Sequence, residues 1–211
     1  PDWIPLPRKR REKAAIKVTD NTIKSLVQQR RASGEDRGDI LSSLLQTVDE
    51  DNGVGMTDTE IRDSLMGLFI AGHETTAVLL TWLLYTLAKY PDIQEQVYQE
   101  VLSEWQADDV TYESLNNLQF MGQVIDETLR LYPSAWSLFM RETIEPIDLG
   151  TQIIPQGAVV LISPWILHRQ ANLWDNPHKF DPSRFDPDKA SHHQYAYLPF
   201  GGGQRICVGN H

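Results

Sequence analysis

The feature that most constrains the fold is a helical pattern that starts at residue 57 and meets no helix-breaking residue until Pro91. Residues 57–60 read Thr-Asp-Thr-Glu, a capping box in which the Thr57 hydroxyl and the Glu60 carboxylate each pair with an otherwise unbonded amide. The pattern predicts a helix of about 32 residues, which is about 48 Å long at ~1.5 Å per residue. Because so long and apolar a helix must bury its surface, we expect it to cross the middle of a soluble domain as a buried helix.

The rest of the chain predicts shorter elements around this helix. Apolar residues at helical spacing predict helices over residues 10–33, 40–48, 91–105 and 118–131. Short β-favouring runs at 138–143, 151–154 and 158–163 predict a small sheet. Residues 172–199 show no period, which predicts a long irregular segment anchored by specific side chains. The expected fold class is mainly α with a small β-sheet (α+β), in a single domain over residues 1–211.

Composition excludes several classes of protein. The 211 residues are 41% hydrophobic and include a single Cys, so the chain can fill a core and has no internal disulfide framework. A formal net charge of −10 argues against binding nucleic acid. The basic residues within 8–17, with Arg30 and Arg31, are interpreted as a solvated helix face or as a contact for an acidic partner or membrane surface. Residues 65–87 are interrupted by polar side chains, so no uninterrupted apolar run reaches the roughly 18 residues of a membrane span.

The only cysteine lies in a glycine-rich stretch. Residues 200–209 read Phe-Gly-Gly-Gly-Gln-Arg-Ile-Cys-Val-Gly. The glycines permit a tight turn, and Arg205 and nearby amides favour the thiolate of Cys207, the form that binds metal or attacks carbon. A buried structural cysteine beside a flexible turn is the alternative, but the offsets of the glycines and the arginine favour a functional thiol. The order of the glycines matches neither a dinucleotide-binding fingerprint nor a P-loop.

A second polar group interrupts the long apolar helix. Residues 71–76 read Ala-Gly-His-Glu-Thr-Thr, and Ala77 stands where a zinc protease would need its second His, so zinc hydrolysis is excluded. Gly72 opens a groove in the helix surface, and a hydroxyl bonded back to the helix can bend it locally. An acid such as Glu74 belongs there only if it is paired or functional, unless the helix simply reaches solvent at this point.

Two further patterns involve arginines. Glu127 and Arg130 are three residues apart and share a helix face, which taken alone is more typical of a surface pair than of a functional site. Residues 180–185 read Phe-Asp-Pro-Ser-Arg-Phe. In that segment Arg184 is flanked by aromatic residues and is placed to reach such a carboxylate and to fix the irregular segment onto the helix.

Taken together and in this order, the four motifs resemble those of the cytochrome P-450 family of haem-thiolate monooxygenases. The family pattern F-x-x-G-x-R-x-C-x-G is matched at each specified position within residues 200–209. The pattern A-G-x-[DE]-T-T is matched by residues 71–76, E-x-x-R by residues 127–130, and the aromatic-Pro-Arg segment by residues 180–185. The resemblance extends from about residue 10 to the end of the chain and implies the C-terminal part of that fold, with one long central helix.

The resemblance implies a cofactor and a set of site residues. The cofactor is haem b, iron protoporphyrin IX, with the Cys207 thiolate as axial ligand and metal ligand. Arg205 resembles a partner of a haem propionate, Arg141 a second such contact, and Phe200 the residue that packs on the cysteine side of the macrocycle. Glu74 and Thr75 resemble the catalytic acid–alcohol pair that delivers protons during oxygen activation. The remaining residues assigned to cofactor binding are Gly201, Gly209 and Ala71. Glu127, Arg130 and Arg184 resemble the buried ion network that holds the cysteine-loop segment in place, which is a structural role.

The resemblance also implies the reaction and its partners. It implies insertion of one oxygen atom from O2 into a C–H bond of a lipophilic substrate, a fatty acid or a terpenoid, in a pocket shaped by Trp136 and its neighbours at 135 and 137. Electrons come from a ferredoxin or flavoprotein reductase, and so indirectly from NAD(P)H, and no nucleic acid is involved. Family chains are roughly twice as long, so we expect activity of a longer parent enzyme rather than of this piece, in an intracellular and cytoplasmic rather than membrane-anchored protein.

Three alternatives stay open. Within the same fold, a haem-thiolate isomerase or peroxygenase would not need the proton relay that Glu74 and Thr75 resemble. A helical haem-binding or sensing module would ligate haem through Cys207 without catalysis. A cysteine-nucleophile hydrolase would pair Cys207 with His168 or His211, although no residue in the sequence orients such a base.

Overall fold

The computed structural model describes residues 7–49, 51, 53–105, 111–189 and 192–210. The chain divides into two compact units, Pro1–His73 and Glu74–His211, and the division falls within the longest helix. The single domain expected over residues 1–211 therefore stays a prediction. The helices are α1 Pro7–Ser33, α2 Ile40–Gln46, α3 Asp58–Lys89, α4 Pro91–Glu104, α5 Tyr112–Leu115, α6 Gln119–Leu131 and α7 Pro164–Leu167. The strands are β1 Arg141–Glu142, β2 Ile147–Asp148, β3 Ile153–Ile154 and β4 Val159–Val160, and 3-10 turns span Pro182–Phe185 and Gly203–Arg205.

In the first unit, an ion pair closes the turn between α1 and α2. Gly34 follows α1 at φ +63°, where a side chain would be strained, and its amide donates to the Arg30 carbonyl at 3.0 Å. The Arg30 guanidinium donates to both carboxylate oxygens of Asp39 at 2.8 Å, and Asp39 also caps α2 by accepting the Ser42 amide at 2.9 Å. These bonds hold the pKa of the Asp39 carboxyl well below its usual range.

The core of the first unit joins three helices. Val27 of α1, Leu41 of α2 and Ile61 of α3 are buried together, and burying each such side chain stabilises the fold by about 1.5–3 kcal/mol. The N-terminal turn of α3 is therefore fixed from two sides, by this packing and by its cap.

α3 begins and ends as the sequence predicts. The Thr57 amide donates to Glu60 Oε2 at 2.8 Å and the Glu60 amide to Thr57 Oγ1 at 3.3 Å, which is the predicted capping box. The helix runs for 32 residues and stops at Lys89, just before Pro91. Its length and its bounds are confirmed.

The expected burial of α3 is wrong for the described part of the chain. Of its residues only Ile61 and Thr86 are buried, while Phe69 is 60% and Leu84 67% exposed. The apolar clusters of the two units include residues near the ends of the helix and none between 67 and 82. A helix is buried only where other elements cover it, and the described residues do not cover this middle stretch.

α3 also corrects the expectation about membrane spans. It is the one helix, among the residues described, that is long and apolar enough to cross a membrane, with a mean hydropathy of 1.3 over its best 18-residue window. The sequence argument required an uninterrupted apolar run, whereas a span tolerates a few polar residues. Core helices of globular proteins meet the same criterion, so it does not locate α3 in a membrane, and the expected cytoplasmic location stays a prediction.

The second unit has a helical core built on α4 and α6. Val97 of α4 packs with Val124 and Leu131 of α6, and Phe180 from the irregular segment completes the cluster. The Phe180 ring stacks on Tyr90, with ring centroids 5.1 Å apart and planes 14° apart. The irregular segment is thus anchored to the helices by an aromatic side chain, as the sequence predicts.

The strands form two separate antiparallel pairs instead of one small sheet. β1 pairs with β4, with Arg141 opposite Val160, and β2 pairs with β3, with Ile147 opposite Ile154. β2 was not predicted, because a two-residue run carries no detectable period. α7 was not predicted either, since it is a single turn that begins at Pro164.

Candidate functional site: the cysteine loop and the arginine that holds it

The cysteine loop, residues 200–209, is closed by its own backbone hydrogen bonds. The Cys207 amide donates to the Phe200 carbonyl at 2.9 Å, and the Ile206 amide donates to the Gly203 carbonyl at 3.1 Å. Gly203 has φ +73°, a left-handed conformation in which any side chain would be strained. The glycine therefore permits the turn that brings the cysteine back beside the start of the loop.

The Cys207 thiol is exposed and receives one amide donor. The Gly209 amide donates to Cys207 Sγ at 3.4 Å, and a Cβ at residue 209 would lie 3.9 Å from the sulfur. Exposure of the thiol rules out the alternative of a buried structural cysteine. An amide donor stabilises negative charge on sulfur, so the arrangement suits a thiolate that binds a metal ion.

The side chains around the thiol are cationic and apolar. Arg205 is exposed and forms no ion pair with any residue that the structure describes. Phe200, Ile206 and Val208 are 38%, 46% and 76% exposed. Gly201 also has a left-handed backbone, with φ +76°, in which any side chain would be strained.

The second predicted motif lies on consecutive turns of α3. Ala71 falls at the end of the first unit, Glu74 and Thr75 fall at the start of the second, and all three are exposed. The Ser134 hydroxyl donates to the Thr75 carbonyl at 2.9 Å, so the loop after α6 is bonded to α3 at this residue. Apart from Gly72, its chain neighbours and the adjacent helix backbone, no described atom lies within 4 Å of the position that a Cβ would take at Gly72.

Glu127 and Arg130 form a fully buried ion pair. Arg130 Nε and Nη2 donate to the two carboxylate oxygens of Glu127 at 2.6 and 2.8 Å, and both side chains are 0% exposed. The remaining donors of the guanidinium reach three backbone carbonyls, at 2.7 Å for His168, 2.8 Å for Pro177 and 3.1 Å for Lys179. The interpretation as a surface pair is therefore wrong, and the pair holds the irregular segment onto α6.

Arg184 completes the predicted network. Its Nε lies 3.5 Å from Glu127 Oε1, an ion pair slightly too long for a hydrogen bond, while the Asp181 amide donates to the same oxygen at 2.8 Å. Burial raises the pKa of the Glu127 carboxyl, and the arginines and the amide oppose that rise. Because several donors surround it, the carboxylate is the form of Glu127 that this site fits.

Two residues whose structural contacts the sequence did not predict lie next to the cysteine loop. The half-buried Tyr197 donates its hydroxyl to Asp126 Oδ1 at 3.0 Å, and burial beside that carboxylate raises the pKa of Tyr197. The imidazole of His168 is fully buried, with Nδ1 3.1 Å from the Arg130 carbonyl and Nε2 2.9 Å from the Leu198 amide. The neighbouring sequence predicts neither contact, because the bonded residues lie 30 or more positions apart in the chain.

The geometry argues against hydrolysis by Cys207. Both ring nitrogens of His168 are engaged with backbone groups, so this residue is not available as a base for the thiol. His211 lies outside the described residues. Within the described ranges, no group of three or more His, Cys, Asp and Glu side chains could hold a metal ion.

Comparison with known proteins defines the family. The model of the family described as Cytochrome P450 matches residues 1–211, and the chain belongs to this family. It is 39% identical over 209 residues to cyclooctatin synthase and 35% identical over 208 residues to cyclooctat-9-en-7-ol 5-monooxygenase, both from Streptomyces melanosporofaciens. Each alignment covers 98% of this chain and 45% of the relative, so the chain spans about half the length of the relatives it matches.

More distant relatives agree with this assignment. The chain is 33% identical over 208 residues to pentalenene oxygenase of Streptomyces avermitilis, covering 98% of this chain and 46% of that protein. It is 34% identical over 212 residues to lanosterol 14-alpha demethylase of Bos taurus, covering 99% and 42%. The crystal structure of the cytochrome P450DA heme domain superposes with a TM-score of 0.86 at 33% identity, covering 93% of this chain and 44% of that one. The expected fold is therefore confirmed.

The family implies a haem cofactor, and the cysteine loop fits such a group. It offers a single exposed thiol that already accepts an amide hydrogen bond. Arg205 offers a guanidinium that no described carboxylate occupies, which suits a propionate. The exposed side chains of Phe200 and Val208 suit an apolar macrocycle that would remove them from water.

We predict that Arg130→Leu in the full-length protein lowers the free energy of unfolding by about 3–5 kcal/mol, because it leaves Glu127 as an uncompensated buried charge. Urea unfolding followed by fluorescence measures the loss. The matched control is Lys179→Ala, which removes an ion pair to Asp181 from a lysine that is 66% exposed and should cost under about 1 kcal/mol. A loss below about 1 kcal/mol for Arg130→Leu would contradict the network.

We also predict a dependence of stability on pH that is due to His168. Burial, with Arg130 and Arg169 adding positive charge, lowers the pKa of His168 from 6.5 to about 4, and Tyr197 is the other titratable group that faces the ring. The unfolded chain takes up a proton between these values and the folded chain does not, so stability is present above pH 6.5 and falls toward pH 4. At ~1.36 kcal/mol per pKa unit the loss approaches about 3 kcal/mol.

The measurement is a series of urea titrations between pH 7.5 and 4.5, compared with His168→Gln, which does not titrate. The slope of stability against pH should be smaller in the variant. Equal slopes in the two proteins would show that His168 does not contribute.

Proposed function

We propose that this chain belongs to a haem-thiolate monooxygenase that inserts one oxygen atom from O2 into a C–H bond, and that the Cys207 thiolate would hold the haem iron. The observation that carries the proposal is the exposed Cys207 thiol at the end of a closed loop, with the Gly209 amide donating to its sulfur at 3.4 Å. When bound, haem supplies the redox chemistry, and a thiolate ligand favours cleavage of the O–O bond. The reductive partner is a ferredoxin or a flavoprotein that draws on NAD(P)H.

The loop residues divide the binding of the cofactor among them. Cys207 would bind the metal, and Arg205 would pair with a propionate through its guanidinium, which has no acidic partner in the described chain. Phe200 would pack its exposed ring on the cofactor. The Gly209 amide donates to the sulfur, and Gly201 takes a left-handed backbone conformation that the loop needs. Ala71, which belongs to the first unit, is assigned to cofactor binding by the family motif at residues 71–76 alone.

Glu74 and Thr75 are proposed to move protons and to hold the water that carries them. An exposed Glu74 carboxylate exchanges protons with solvent, and the adjacent Thr75 hydroxyl both accepts and donates hydrogen bonds. The bond from Ser134 to the Thr75 carbonyl fixes this turn of α3, so the hydroxyl is held on a constrained backbone. An isomerase or a peroxygenase does not need this pair. Replacing Thr75 therefore distinguishes a monooxygenase from these two activities.

The proposed substrate is lipophilic. Trp136, Phe139 and Met140 follow α6 with 64%, 89% and 68% of their surface exposed, which provides apolar surface for such a molecule. Two relatives are named for oxidation of cyclooctat-9-en-7-ol and pentalenene, and both names denote largely hydrocarbon molecules. Both observations fit a lipophilic substrate, a terpenoid or a fatty acid.

Cys207→Ser tests the proposed ligand. We predict that the reduced full-length protein with CO shows the far red-shifted Soret band of thiolate ligation and that the serine variant lacks it, because a hydroxyl is a poor electron donor to the iron. Gln204→Ala is the matched control, since it changes an exposed residue of the same loop that has no assigned role and leaves the sulfur in place. A protein without haem, or a serine variant with an unchanged band, would contradict the proposal.

Thr75→Ala tests the proton relay. We predict that product formed per NAD(P)H consumed falls roughly tenfold or more, with the missing electrons recovered as peroxide, because a positioned proton donor is lost. Thr81→Ala is the control on the same helix, since the Thr81 hydroxyl donates back to the Ala77 carbonyl at 2.8 Å. Unchanged coupling in Thr75→Ala would instead favour a haem-binding module, an isomerase or a peroxygenase.

A further inference from the structure

The further inference concerns His168, whose ring lies between two backbone groups. Nδ1 is 3.1 Å from the Arg130 carbonyl and Nε2 is 2.9 Å from the Leu198 amide. A carbonyl needs a donor and an amide needs an acceptor, so the partners require a proton on Nδ1 and a lone pair on Nε2. Only the neutral ring satisfies both, which agrees with the low pKa of this buried imidazole.

His168 and Arg130 are joined by two hydrogen bonds. The Arg130 guanidinium donates to the His168 carbonyl at 2.7 Å, and the His168 ring donates to the Arg130 carbonyl. The Arg130 side chain is in turn fixed by two hydrogen bonds to Glu127. The imidazole is therefore attached to a fully buried part of α6, and its Nε2 faces the Leu198 amide.

Leu198 lies two residues before the cysteine loop, which begins at Phe200. Its amide is bonded to His168, and its carbonyl accepts the Gly201 amide at 3.3 Å. Two residues further on, the Phe200 carbonyl accepts the Cys207 amide at 2.9 Å. A short series of hydrogen bonds thus connects Arg130 to the cysteine through His168.

We propose that His168 is a positioning residue, which fixes the start of the cysteine loop against α6 and so fixes the orientation of the Cys207 sulfur. The role in ligation rests on the proposed function, whereas the anchoring of the loop does not. A second link, from Tyr197 to Asp126, uses a side-chain hydroxyl, so it restrains the position of the segment but not the Leu198 peptide plane. The His168 ring bonds to that peptide directly.

Three variants of His168 in the full-length haem protein separate its two hydrogen bonds. His168→Gln can place an amide oxygen near Nε2 and keep the bond to Leu198. His168→Asn can place an amide nitrogen near Nδ1 and keep only the bond to Arg130. His168→Leu keeps neither. Thr128→Val is the matched control, because it removes a buried hydrogen bond of 2.7 Å to the Val124 carbonyl that does not involve the loop.

Two readouts are used. Hydrogen exchange of the Leu198 amide reports on the anchor, and the fraction of thiolate-type CO complex reports on the sulfur. We expect exchange at Leu198 to be roughly tenfold faster in the Leu and Asn variants, and the thiolate fraction to fall in both. The Gln variant and the Thr128→Val control should stay close to the wild type in both readouts.

Several results would overturn the proposal. One is wild-type exchange and thiolate fraction in His168→Leu, and another is equal behaviour of the Gln and Asn variants. If a variant fails to fold, the ring nitrogen chemical shifts of His168 in the wild type test the proposal, because they show which nitrogen carries the proton. A proton on Nε2 would contradict the proposal. A wild-type protein with a protected Leu198 amide and no thiolate band would refute the proposed function and leave the anchoring role intact.

Discussion

The guanidinium of Arg130 is the interaction on which the second unit depends. It is fully buried, and it joins one carboxylate on its own helix to three carbonyls that lie 38–49 residues further along the chain. Those carbonyls belong to a stretch with almost no regular secondary structure, whose backbone groups would otherwise need water or other partners. A single side chain with five donors satisfies them in fixed directions, so it holds an irregular segment as firmly as a helix or a strand would.

The cysteine loop, unlike the buried Arg130 network, is exposed. Its backbone is closed by hydrogen bonds within residues 200–209, but its side chains are exposed and its sulfur accepts only one hydrogen bond, from its own chain. The loop presents an exposed thiol, a guanidinium with no acidic partner among the described residues, and apolar side chains. In the proposed haem site, the buried network behind the loop would supply the rigidity and this exposed surface would supply the affinity.

How well the sequence predicts an element of this structure depends on how far apart in the chain the interacting residues lie. The capping box at Thr57, the stop before Pro91 and the turn at Gly203 are local, so the long helix and the closed loop could be predicted. The burial of α3 could not, because it depends on what covers the helix, and in the described chain little does. The resemblance supplied Glu127, Arg130 and Arg184 as a network, although their spacing alone favoured a surface pair.

His168 shows most clearly what could not be predicted from the sequence. Its ring contacts a carbonyl 38 residues before it and an amide 30 residues after it, and its immediate neighbours in the sequence carry no sign of either contact. The only role that sequence reasoning weighed for it was that of a base, which requires a free nitrogen. Both nitrogens are engaged, so a residue type that suggested chemistry has a structural task in the fold.

The most direct test of the account is X-ray absorption at the iron edge of the full-length protein, which counts the atoms bound to the metal. The account predicts one sulfur neighbour in the first coordination shell, and its disappearance when Cys207 is replaced by serine. A first shell of nitrogen and oxygen atoms alone in the unsubstituted protein would contradict it.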